Sequence, residues 1–60
     1  GPTLLHYACR IGRDDLVRTF LDHGADIDST AEDACSPITV AASQGHIRCI
    51  KVLIQYGAVL

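Results

Sequence analysis

The feature that most constrains this chain is that it repeats itself. Displaced by 33 residues, Gly12 falls on Gly45, Gly24 on Gly57, Ala8 on Ala41 and Ala25 on Ala58. Conservative matches fill the intervals: Thr3 with Ser36, Leu5 with Ile38, Val17 with Ile50, Arg18 with Lys51, Phe20 with Leu53 and Leu21 with Ile54. Identity is sparse, but the agreement falls on glycines, small residues and apolar positions, where backbone geometry is constrained. A period of this length marks a stacked-repeat architecture, in which one unit cannot bury its apolar face alone.

Each unit reads as two short helices and an irregular return. Thr3 and Ser36 are N-cap candidates, since a hydroxyl there accepts from an otherwise unpaired first-turn N–H. Pro37 follows at the first helical position, where its missing N–H is harmless. Leu5, Ala8 and Cys9, like Ile38, Ala41 and Ala42, keep i, i+3, i+4 spacing and form a narrow apolar stripe. The stripes end at Gly12 and Gly45, which suit a left-handed helix end. The second helices carry Leu16, Val17, Phe20 and Leu21, then Cys49, Ile50, Leu53 and Ile54, with Gly24 and Gly57 closing them. Asp14 and Asp15 suit the positive end of their helix. From Ala25 to Cys35 no helical apolar period survives, and a turn or hairpin is expected.

Sixty residues allow one small domain, and a chain of that size buries only about 60% of its unfolded surface. An apolar share of 48% is too high for a disordered tail. No apolar run exceeds three residues, so no segment spans a bilayer, and nothing reads as a secretory signal. Seven acids against five bases give a net charge of −2, which argues against nucleic acid as partner. Cys9, Cys35 and Cys49 are an odd number without a C-x-x-C pair, so a disulfide framework is not expected. Three thiols suit a reducing interior, so the expected location is intracellular, in the cytoplasm or nucleus.

The residues resemble the ankyrin repeat. Its opening T-P-L-H-x-A pattern appears as Thr3-Leu4-Leu5-His6-Tyr7-Ala8 and as Ser36-Pro37-Ile38-Thr39-Val40-Ala41. Gly45-His46 is similar to the pair that starts the family's second helix, with Gly12-Arg13 in the first unit, and Gly24-Ala25-Asp26-Ile27-Asp28 matches its closing pattern. Leu4 replaces the proline, Thr39 the histidine, and Ala34 stands where the hairpin usually has glycine. The resemblance covers the whole chain. It implies an all-α ankyrin-repeat solenoid: two helix-turn-helix units, residues 1–27 and 28–60, joined by a β-hairpin-like loop. A tetratricopeptide pair would need a short connection where this chain has a long non-helical stretch. The family's unit runs from hairpin to hairpin, and neither end here looks like a cap. The expectation is therefore two units of a longer array, each truncated at its outer end.

Three groups of residues have side chains capable of chemistry. His6 with Cys9 and His46 with Cys49 keep i, i+3 spacing, and two His/Cys pairs have the donors of a tetrahedral zinc site. The resemblance implies instead that both histidines are structural, with rings bonded to backbone near helix starts and turns, and that Cys9 and Cys49 are small core fillers. No nucleophile arrangement accompanies them. Asp22, Asp26, Asp28, Glu32 and Asp33 form an acidic run without calcium-loop spacing; Asp26 and Asp28 read as turn residues. Cys35 is the thiol expected to be most exposed.

The reading is a non-catalytic protein-interaction module with no cofactor and no metal. In the family, partner contacts concentrate at hairpin tips and first-helix ends. Carried over, the partner-binding residues are Thr30, Glu32, Asp33 and Cys35 on the hairpin, and Arg10, Ile11, Ser43 and Gln44 on the helices. Two carboxylates without a base favour a protein partner with a basic segment. The alternative is a structural, self-associating scaffold element that stacks or exchanges helices through uncapped apolar ends.

Overall fold

Thr3 begins the first helix as its sequence predicts. The computed structural model describes residues 3–30 and 34–59. Its helices are α1 (Leu4–Ile11), α2 (Asp14–Asp22), α3 (Pro37–Ser43) and α4 (Ile47–Gln55), with no strand among the described residues. The Thr3 hydroxyl accepts from the His6 backbone N–H at 3.2 Å, and the His6 side chain returns to the Thr3 backbone, a reciprocal cap. Gly12 ends α1 at φ 79°, where a left-handed residue lets its N–H reach back to the Ala8 carbonyl. Asp14 and Asp15 lie in the first turn of α2 as expected.

The matching cap on α3 is different. Ser36 occupies the N-cap position, but its hydroxyl makes no backbone cap bond and pairs with the Thr39 hydroxyl at 3.0 Å. Thr39 stands where α1 has His6, so the serine's nearest polar neighbour is another short hydroxyl. The expected capping bond is lost to that substitution.

Within each unit the two helices pack together, α1 on α2 and α3 on α4. Between units α1 lies against α3 and α2 against α4, so first helices form one layer and second helices another. The core comprises Leu5, Ala8, Cys9, Val17, Ile38, Val40, Ala41, Cys49, Val52 and Leu53. Among the described residues, His6 is the one polar side chain buried with it.

Positions 33 apart share a conformation but not an environment. Leu5 and Ile38, and Ala8 and Ala41, are buried in both units because they face inward within a helix pair. Pro37 is fully buried whereas its counterpart Leu4 is 69% exposed, and Val40 is buried whereas Tyr7 is 54% exposed. These α3 positions are covered by unit 1, and their α1 equivalents lie on the opposite outer face. The converse pairs are Cys9, buried, with exposed Ala42, and half-buried Leu21 with Ile54, 45% exposed.

This asymmetry corrects three sequence-based expectations. Ala42 and Ile54, placed in apolar stripes by spacing, are exposed on the outer face of unit 2. Phe20, expected to be buried like Leu53, is half-buried on the outer face of unit 1. Val40 and Val52 join the core although the stripe omitted them, because the neighbouring unit covers their side of the helix.

The connection after α2 is held by its own polar residues. The Asp26 carboxylate accepts from the Asp28 N–H at 2.9 Å, and the Ser29 hydroxyl donates to the Asp26 carbonyl at 2.9 Å. Asp26 is thus the turn residue its type predicts. Ala34, where the family favours glycine, takes φ 63°.

Candidate interaction surface

Two histidines join the units through backbone carbonyls. The His6 ring lies buried between Thr3 and the loop before α3, with Nε2 2.8 Å from the Cys35 carbonyl and Nδ1 2.7 Å from the Thr3 hydroxyl. A carbonyl only accepts, so Nε2 carries the proton and Nδ1 accepts from the threonine. His46 does the equivalent at the other end of α1: its Nε2 donates to the Arg10 carbonyl at 3.1 Å. Its ring lies over Gly12, where an added Cβ would sit 2.7 Å from two ring atoms. A third cross-unit bond runs from the Tyr56 hydroxyl to the Asp22 carboxylate.

These bonds fix the backbone of the first-helix ends and leave their side chains to solvent. Arg10 and Ile11 close α1, and both are exposed, Ile11 at 43%. Ser43 and Gln44, one period later, are exposed at the end of the neighbouring α3. The four therefore stand at matching ends of adjacent helices. The Ser43 hydroxyl donates to the Val40 carbonyl at 2.9 Å. Thr30 is exposed in the connection, and half-buried Cys35 precedes α3, at the opposite end of the first-helix layer from Arg10. Eight residues of helix separate those ends by about 12 Å. Glu32 and Asp33 lie outside the described residues.

The remaining reactive groups are held in structural roles. Burial pushes the Cys9 thiol up to about 12, with Cys49 adding to the effect, and burial also raises Cys49. Cys9 and Cys49 are fully buried, as core fillers should be, whereas Cys35 is the more exposed thiol. The hydrogen bond to Asp22 raises the Tyr56 hydroxyl. At the start of α2 the exposed Arg13 guanidinium grips Asp15 at 2.9 Å and lowers that carboxyl. Among the described residues no group of three or more His, Cys, Asp or Glu is placed to hold a metal. No helix of the described residues is long and apolar enough to cross a membrane.

Sequence spacing missed one further feature, an open groove of about 380 Å³ on the outer face of unit 1, lined by Leu4, Leu5, Phe20, His23 and Ala25 among others. The signal was present in the repeat itself: Leu4 and Phe20 are the counterparts of Pro37 and Leu53, which the other unit covers.

Comparison with known proteins agrees with this architecture. Residues 1–60 match the family described as ankyrin repeats (3 copies). Human BCL-6 corepressor-like protein 1 is 36% identical over 97% of this chain, and Arabidopsis thaliana E3 ubiquitin-protein ligase KEG is 39% identical over 97%. Human palmitoyltransferase ZDHHC17 is 40% identical over 93%. The chain spans only 3%, 4% and 9% of the lengths of these relatives, respectively.

Proposed function

Because the chain belongs to the ankyrin-repeat family, whose repeats generally mediate protein–protein interaction, we propose that it is a non-catalytic binding module using its first-helix ends and hairpin. The units are residues 1–27 and 28–60. The observation that carries this reading is the exposed set Arg10, Ile11, Ser43 and Gln44 at matching ends of α1 and α3. An isoleucine exposed beside an arginine offers apolar contact together with a planar cation that pairs with carboxylates or stacks on aromatic rings. The proposed surface also takes in Thr30 and Cys35 of the connection and, outside the described residues, Glu32 and Asp33. Glu32 and Asp33 favour a partner segment bearing Lys or Arg, steered by charge.

Three observations support a non-catalytic role. His6 and His46 each spend Nε2 on a backbone carbonyl. Two of the three thiols are buried and raised. The groove on unit 1 is lined mainly by apolar side chains.

The test is selection of peptides from a random display library on the folded chain, followed by substitution. The selected peptides are expected to carry Lys or Arg. Ile11→Ala and the Glu32→Lys, Asp33→Lys double variant are expected to weaken them, the latter with a shallower salt dependence. Lys51→Ala, on the second-helix side, is expected to leave affinity unchanged. Equal affinity across all these variants would remove the surface from the function.

A further inference from the structure

We propose that the protein segment bound along the first-helix layer is of mixed charge, with a carboxylate on the Arg10 guanidinium and a Lys or Arg directed to the connection about 12 Å away. This rests on the binding surface proposed above and names the charge pattern of its occupant. Helices α1 and α3 together carry one formally charged side chain, Arg10. It is exposed in the last turn of α1, and among the described residues no acid pairs with it. Arg13, just beyond Gly12, is different: Asp15 already holds its guanidinium through two hydrogen bonds, at 3.0 and 2.9 Å. Arg10 is therefore the open cation of the layer. The His46 ring prepares it, because the bond to the Arg10 carbonyl at 3.1 Å fixes the backbone that bears the side chain. Less freedom is then lost when the guanidinium meets a ligand. Its paired N–H donors match both oxygens of a carboxylate, and exposed Ile11 beside it offers apolar contact.

The other end of the layer has the opposite sign. The connection from Gly24 to Ser36 contains no base, and it carries Asp26 and Asp28, both exposed. The Asp26 carboxylate accepts from the Asp28 N–H, whereas among the described residues no hydrogen bond or ion pair engages the Asp28 carboxylate. The connection enters α3 at its start, the end opposite Arg10. A cation thus bounds the layer at one end and free acid at the other. A uniformly basic segment would gain at the connection but would set its charge against Arg10. A mixed segment pairs at both ends, and it lies in one direction only. Extended chain advances about 3.3 Å per residue, so about four residues separate the two complementary charges.

The experiment is a double-mutant cycle between the chain and synthetic peptides selected on it from a random display library. The selected peptides should carry Asp or Glu about four residues from Lys or Arg. Replacing that acid by its amide should weaken binding to the parent chain about three- to tenfold. The same replacement should leave binding to Arg10→Gln unchanged, since the partner charge is already gone. Selection on Arg10→Glu should put Lys or Arg where the parent selects the acid. Arg10 is exposed, so helical circular dichroism should persist in both variants, and the change made in the peptide tests the contact on the unaltered chain. Three results would overturn the mixed-charge occupant: peptides that are only basic, an aromatic ring in place of the acid, or an acid whose amide weakens binding to parent and Arg10→Gln equally. If Ile11→Ala still weakens those peptides, the binding surface stands without this inference. Peptides indifferent to both Arg10→Gln and Ile11→Ala would overturn surface and inference together.

Discussion

The His6 imidazole ties the start of the first unit to the loop that enters the second, donating from Nε2 to the Cys35 carbonyl at 2.8 Å while Nδ1 accepts from Thr3. Both ring nitrogens are satisfied inside the fold, and the ring is fully buried. Replacing it by an apolar residue of similar bulk leaves the Cys35 carbonyl without that donor. His6→Leu should therefore cost about 1–3 kcal/mol, read as a lower urea midpoint. Nitrogen-15 shifts of the native ring should report the Nε2–H tautomer; an Nδ1–H signature would contradict the assigned bond.

The glycines at Gly12 and Gly24 have similar dihedrals, φ 79° and 90°, but different surroundings. A Cβ at Gly24 meets nothing within 4 Å, whereas at Gly12 it strikes the His46 ring. Gly24→Ala should cost about 1–2 kcal/mol for the left-handed backbone alone. Gly12→Ala should cost more, because it also displaces the ring that bonds Arg10. In a His46→Ala background the two costs should converge. Equal costs in the parent chain would show that the ring moves aside freely.

Ala34 takes a left-handed φ of 63° with a side chain that disfavours it. Ala34→Gly removes that penalty but makes the unfolded chain more flexible, so the net gain should be about 0.5–1 kcal/mol. Thermal unfolding of the pair of proteins measures it. A lower melting temperature in the glycine variant would mean that the loop conformation carries no strain.

The buried thiols make stability fall in alkali. Folded Cys9 ionises only near 12, well above the ordinary 9.0, and Cys49 is also raised. Above pH 9 the unfolded state loses protons that the folded state keeps, so stability is fully present below that point and declines as pH rises towards 12. The urea midpoint should drop more between about pH 8 and about pH 10.5 for the parent chain than for Cys9→Ala. Identical slopes would contradict the raised thiol.

Helix limits, caps and glycine ends were legible because each depends on a few residues in sequence. Thr3, Pro37, Gly12 and Gly24 act locally, and the repeat showed each of them with its counterpart. What periodicity could not supply was which side of a helix its neighbour covers. Phe20 and Leu53 share a register position, yet only Leu53 has a unit stacked over it. Leu53→Ala should accordingly cost more than Phe20→Ala, within the range of about 2–5 kcal/mol for emptied core sites. The Ser36 cap failed for a related reason: its partner depends on Thr39, a departure in one unit. Of the proposed binding residues, spacing placed Arg10, Ile11, Ser43 and Gln44 at matching helix ends. It could not reveal that the Arg10 and Cys35 carbonyls serve His46 and His6.

Binding through the first-helix ends and hairpin would leave the stacked core intact. Amide chemical-shift mapping with a library-selected peptide measures this residue by residue. Shifts are expected at Arg10, Ile11, Thr30, Glu32, Asp33, Ser43 and Gln44, with Leu5, Val17 and Leu53 unmoved. Shifts confined to the second-helix side, at Arg18, Arg48 and Lys51, would contradict it.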